Sequence, residues 1–307
     1  MSDLGTRRRS GAGNDTLSFI FLGTGCSSAV PDLRCYVRPD KRCPACADAF
    51  ADPLHSKNVR GNTSVLVKVP DHETGGTKNI LIDCGKTFRE SGLKYFGRNG
   101  ITQIDALLFT HPHVDAYGGL DDLRYLFQGS DRIQSHLEIY CTEYTCSSIR
   151  KNMPWVFPRE PEKMQNVFGF RWKIMPDHED WNICGTIFSA FQFHHGREPG
   201  ESVTLCTAFL IDQSVLYASD VNYIPEQEWK RLGKKISLPT RDGLYSPESQ
   251  LPRLQGAILD VTSEFWKAGP HFNLGQAILT ARRLGAMRTL LTGFLHGYTH
   301  ETWLSWG

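Results

Sequence analysis

Five apolar segments of this chain end on, or run through, an aspartate or a histidine, and that recurrence limits the fold more than any other feature. "NILIDCG" (79–85) carries Asp83, and "IDALLFT" (104–110) runs into His111, His113 and Asp115. "TIFSAFQF" (186–193) is followed by His194 and His195. The hairpin "TAFLI" with "SVLYASD" (207–220) closes on Asp220, and "MRTLLTGF" (287–294) delivers His296. Short continuous apolar runs read as buried strands. Polar groups placed just past several strand ends are what a layered α/β sandwich presents when its loops at one edge converge on a site.

Further strands are predicted at "TLSFIFLGTG" (16–25), "SVLVKV" (64–69), "LEIYC" (137–141) and "LQGAILDV" (254–261), with "PDHETGGT" as a hairpin loop. Helices are expected over "GGLDDLRYLF" (118–127), in the stretch that follows "LEIYC" as far as about Asn152, and over "FNLGQAILTARRLGA" (272–286). In the last, Asn273 is the N-cap and Gln276 its capping-box partner. Residues 154–182 read as irregular, and a segment of about 125–190 is expected to cover the site and set the substrate. The domain reading is a disordered tail over 1–15 followed by one domain over 16–307, with a cysteine-rich loop at 26–60.

Composition narrows the function classes. The 307 residues carry 34 Lys+Arg against 33 Asp+Glu, a net charge of +1, which argues against a broad nucleic-acid field. No apolar run approaches the roughly 20 residues of a membrane helix. The first residues have no apolar core, so no secretory signal is expected; their Arg and Ser content hints weakly at a mitochondrial address, which Asp3 and Asp15 oppose. Nine scattered cysteines suit reduced thiols, so a cytoplasmic setting is expected, with the nucleus also open. No membrane or nucleic-acid partner is expected, and a homodimer is the default assembly.

The polar residues have the chemistry of a metal centre. Neutral imidazoles and carboxylates suit zinc, manganese or iron. Two imidazoles in H-x-H can turn onto one ion, and His195 would complete a three-histidine face. Asp115 could hold a second ion, Asp220 could bridge the two, and His296 would close the second set. Asp83 is either a turn aspartate or the acceptor of a ligand histidine's other N–H. Cys35, Cys43 and Cys46 in "CYVRPDKRCPAC" are either a zinc knuckle, a redox pair with a neighbour, or free thiols. The other six cysteines, Cys26, Cys84, Cys141, Cys146, Cys184 and Cys206, read as buried core.

The order "LGTG", "LIDCG", "THPHVDA", "HHG", "ASD" and a late histidine resembles the metallo-β-lactamase superfamily over about residues 18–302. "GGLDDLR", "YASDVNYIP" and "GFLHGYTHE" make it similar to the PhnP-like phosphodiesterases, whose bacterial prototype opens a five-membered cyclic ribose phosphate. The resemblance implies a four-layer αββα sandwich. It implies one metal set of His111, His113, His195 and Asp220, and a second of Asp115, Asp220 and His296, holding one or two Zn2+ or Mn2+ ions. It also implies a structural Zn2+ on Cys35, Cys43, Cys46 and His300. Ala116 departs from the pattern, which has a second-site histidine there. His271 matches a histidine near the substrate, expected as general acid or phosphate binder, and Arg124 either touches phosphate or pairs with Asp121 or Asp122. The expected activity is hydrolysis of a small cyclic or nucleotide-like phosphodiester by a metal-bound hydroxide. The alternatives are a thioester or lactam hydrolase, an RNA 3′-end nuclease (which should carry a long basic arm, not found here), or a zinc-binding protein without catalysis.

Overall fold

The computed structural model describes residues 6–7, 16–158, 169–176, 178–197, 203–264 and 269–306. Most of the expected N-terminal tail lies outside them; Thr6–Arg7 form a short strand, β1, against the next one. The first sheet continues with β2 (Thr16–Gly23), β3 (Ser64–Pro70), β4 (Thr77–Ile82), β5 (Ala106–Leu108), β6 (Leu137–Cys141) and β7 (Phe170–Ile174), in that spatial order. The second sheet holds β8 (Asp180–Ile183), β9 (Thr186–Arg197), β10 (Val203–Ile211), β11 (Val215–Ala218), β12 (Gly256–Asp260) and β13 (Arg288–Thr292), ordered from β13 at one edge to β8 at the other. Helices are α1 (Leu33–Val37), α2 (Pro44–Ala51), α3 (Phe88–Tyr95), α4 (Val114–Tyr117), α5 (Leu120–Leu123), α6 (Glu143–Asn152), α7 (Glu226–Leu232), α8 (Leu274–Leu284) and α9 (His300–Trp306).

Strand alternation builds the layers. Val65, Val67 and Val69 of β3 and Ile80 and Ile82 of β4 point inward, where they meet Phe188, Phe209, Ile211, Tyr217 and Ile258 of the second sheet. The residues between them, Leu66 and Leu81, face outward against Phe88, Leu120, Leu123 and Ile149. On the far side Leu210, Leu216, Ala257 and Leu259 pack on Trp229, Leu232, Ala277, Leu284 and Trp303. The period of two thus sorts neighbouring residues into different apolar layers. Helices cover both outer faces, giving the expected four-layer αββα sandwich.

Direction is what gathers the site. β4, β5, β6 and β7 are parallel, as are β11, β12 and β13. β9 and β11 both run antiparallel to β10, so they share a direction. The carboxyl ends of β9, β11, β12 and β13 therefore open on one edge, beside that of β5. Crevices outside the carboxyl ends of strands are where α/β sheets bind ligands.

Two expectations are corrected. Residues 154–182 are not wholly irregular: β7 and β8 extend both sheets there, while 159–168 and 177 lie outside the described residues. The helix expected at 118–127 is broken into α5 at Leu120–Leu123 and a 3-10 turn at Arg124–Leu126, with Gly118 and Gly119 outside both. The break is local: a Cβ on Gly119 would sit 2.5 Å from Phe88 Cβ and 2.6 Å from the Gly85 carbonyl, so the chain presses against its neighbour there.

Candidate metal centre

Asp83 follows β4 with φ 61° and Asp220 follows β11 with φ 50°, both in the left-handed region that non-glycine residues seldom enter. Such strain persists only where surroundings hold it, and it clusters at functional sites. Asp83 is buried and accepts the Thr110 N–H at 2.9 Å and the Thr110 hydroxyl at 2.7 Å. The Thr110 oxygen lies 2.8 Å from His111 Nδ1. Asp83 therefore does not take a histidine N–H directly; Thr110 stands between them. With its hydroxyl proton given to the carboxylate, Thr110 accepts from His111 Nδ1. This leaves His111 Nε2 as a bare acceptor, and that atom is buried with no hydrogen-bond partner.

The rings of the H-x-H pair lie together with that of His195. His111, His113 and His195 form a triangle of rings with centroids 4.8, 5.1 and 4.9 Å apart. His195 Nδ1 donates to the Pro270 carbonyl at 2.8 Å, so its Nε2 also offers a lone pair, 3.1 Å from His113 Nδ1. Burial pushes His111 down to about 3 and His195 down to about 4, so both are neutral near pH 7. His194 turns away, as alternation requires, and lies against Tyr223.

Carboxylates flank the triangle. Asp115 Oδ1 is 4.0 Å from His111 Nε2, and Asp220 Oδ1 is 4.0 Å from His195 Nε2. Burial would raise Asp220, but the four surrounding histidines outweigh it and hold the carboxyl at about 2. Burial, with repulsion from Asp220, raises Asp115. His271 Nδ1 sits 2.9 Å from Asp260 Oδ2 and 3.7 Å from Asp220 Oδ1. Burial opposes charge on His271, but these carboxylates prevail and push it up to about 9. Donor atoms of three sets fall within 4.8 Å of one another: His111, His113 and His195; His111, Asp115 and Asp220; His195, Asp220 and His271. Buried imidazoles, with His111 and His195 held neutral, beside the low-lying Asp220 carboxylate and with an orphaned nitrogen among them, fit a divalent ion of the zinc or manganese kind.

His296 is not in this centre, which corrects the expected second set. Just past β13 the Gly293 and Phe294 N–H groups donate to the Thr24 carbonyl, and the chain then carries His296 over the cysteine loop. His296 Nδ1 lies 3.4, 3.3 and 3.7 Å from the Sγ atoms of Cys35, Cys43 and Cys46, and the Cys35 and Cys43 sulfurs are 3.8 Å apart. A tetrahedron with Zn–S of about 2.3 Å and Zn–N of about 2.0 Å has edges of roughly 3.8 Å between sulfurs and 3.5 Å from sulfur to nitrogen. These four spacings lie close to those edges, and all four atoms fall within 4.8 Å of one another. His300, expected as the fourth member, instead opens α9, where its backbone N–H donates to Asn58 Oδ1 at 2.7 Å. Asp32 supports the cluster: its N–H reaches Cys46 Sγ at 3.2 Å, and its carboxylate lies 3.8 Å from His296 Nε2.

Ala116, Gly293, Cys26 and Thr63 line the pocket with Asp115 and His271. Arg124 bonds Asp121 at 2.9 Å, the ion-pair alternative. Sequence reasoning missed Thr110 and Asp260. Asp260 was findable, since it ends an apolar strand just as Asp220 does. Close approach explains Gly85: a Cβ there would lie 1.8 Å from the Asp115 carbonyl oxygen.

Fold and centre together define a layered αββα protein with a histidine- and aspartate-rich metal-type site at the strand ends. Residues 78–294 match the beta-lactamase superfamily domain, and the chain belongs to that family, with the metallo-β-lactamase fold. A diphosphatase of the PhnP family superposes with a TM-score of 0.68 at 25% identity, covering 93% of this chain and 89% of that one. Zinc-bound PqqB from Methylobacterium extorquens (17% identity, TM-score 0.55, 88% and 80% covered) and the short form of human tRNase Z (16%, 0.53, 90% and 92%) share the fold. An octanoyltransferase of Porphyromonas gingivalis is 36% identical over 208 residues, which are 66% of this chain but 36% of that relative's length. No helix among the described residues is long and apolar enough to cross a membrane.

Proposed function

We propose that this protein is a metal-dependent phosphodiesterase that hydrolyses a small cyclic or nucleotide-like phosphodiester. One observation carries the metal dependence: the imidazole triangle whose His111 nitrogen is buried, aimed inward and unpartnered. The likeness to a PhnP-family diphosphatase supports the phosphoryl class.

His111, His113, His195 and Asp220 would hold the ion, zinc or manganese. Bound there, it supplies charge neutralisation for phosphate oxygens and lowers the pKa of water. The chain does the rest. Asp115 orients the attacking water by accepting its hydrogen bond. Asp260 fixes the His271 ring through Nδ1, so that Nε2 is the atom left to give a proton to the departing alkoxide. Cys35, Cys43, Cys46 and His296 would hold a structural zinc that ties the N-terminal loop to the segment after β13.

The octanoyltransferase likeness favours a second reading, hydrolysis of an acyl thioester at the same centre. A panel on metal-loaded protein separates them: bis-p-nitrophenyl phosphate and cyclic ribose phosphates against an octanoyl thioester. Phosphodiester turnover that is lost in His111→Ala is expected. Thioester turnover alone would replace the first reading with the second, and no turnover at full metal occupancy would remove both in favour of a non-catalytic zinc protein.

A further inference from the structure

With His296 committed to the cysteines, the second corner of the pocket has few donors. Asp115 and Asp220 face it, but Ala116 offers a methyl and Gly293 no side chain. Nor has Gly293 room for one: its φ is +87°, and a Cβ would lie 2.4 Å from Asp260 Oδ1. The space beside Gly293 is thus filled by Asp260, which is 1% exposed and accepts the Val221 N–H at 3.0 Å. Its other bond is to His271 Nδ1, at 2.9 Å.

His271 is the remaining nitrogen donor at this corner. The atom that approaches Asp220 is Nδ1, the same one that Asp260 engages. Whichever group carries the proton between them, that nitrogen has no lone pair free for a cation. Detaching it would leave a buried carboxylate short of a partner, which is costly. With Nδ1 engaged, what faces a second ion from the Asp220 side is two carboxylates, one of them already shared with the histidine triangle. A catalytic ion ordinarily has three protein ligands.

We infer that the active centre takes a single divalent cation, in the His111–His113–His195 triangle, and that the Asp260–His271 pair fills the position of a second. The imidazole edge then meets the substrate where another ion would otherwise stand. This rests on the reading of the triangle as a metal site, but not on the substrate being a phosphodiester.

Counting tests it on the full chain. Metal analysis after zinc loading and desalting should give two ions per chain, one in the triangle and one at the cysteines, and one in Cys43→Ser. Saturation of the active centre with Mn2+ should give the electron paramagnetic resonance spectrum of an isolated ion. Exchange-coupled manganese, or three ions per chain, would overturn the proposal. In His271→Ala the affinity of the single ion should fall by less than the roughly 100-fold that an outer contact can be worth. A larger loss would make His271 a ligand and overturn it as well. An empty triangle would sink this inference and the reading beneath it together. One ion without phosphodiester turnover would keep the count and remove only the substrate class.

Discussion

Thr110 shows how much one hydroxyl decides at this centre. It is fully buried, sits between Asp83 and His111, and has a different role toward each: donor to the carboxylate and acceptor from the ring. The arrangement fixes which His111 nitrogen is protonated, and so which one is offered to a metal. Thr110→Val keeps the shape and deletes the relay. Its active-centre ion should bind about 10–100-fold more weakly, as outer-contact losses do. Thr110→Ser should restore most of the affinity. Competition against a calibrated chelator measures both; a valine variant with parental affinity would show that the tautomer is set by something else.

At the scale of elements, the segment leaving β13 divides its labour. Gly293 borders the pocket, and three residues later His296 reaches the cysteines, whose loop is carried by α1 and α2. His296→Ala should therefore release the zinc proposed there and lower the melting temperature by at least about 5 °C. His300→Ala should leave zinc content unchanged, since that ring lies outside the cluster. Equal zinc loss from both variants would reverse the assignment. The sequence could not separate these two histidines, because H-x3-H past a strand end does not say where the chain turns. β3 and β4 were legible from their largely apolar runs, and α8 from its Asn273–Gln276 capping box. α1 and α2 were not, because they are short and organised around cysteine sulfurs: Cys43 Sγ caps α2 by accepting the Cys46 N–H. The histidine triangle was readable because its members lie just past or at the end of their strands. The Asp260–His271 pair was harder, since a contact across eleven residues depends on how β12 and α8 pack.

Across the whole molecule, stability comes from the apolar slab between the sheets. Phe209 is fully buried there, 6.3 Å from the Phe188 ring. Phe209→Ala should cost about 3–5 kcal/mol, seen as a lower urea midpoint with an unchanged slope; a cost under about 1 kcal/mol would mean that the slab collapses freely around the gap. The same slab separates two groups of donors. His111, His113 and Asp115 come from the first sheet's side, whereas His195, Asp220 and His271 come from the second's. A cation held between them works as a rivet through both plates of the sandwich. Neither half of the chain could grip it alone, so tight metal uptake during refolding would time the moment at which the two sheets close on each other.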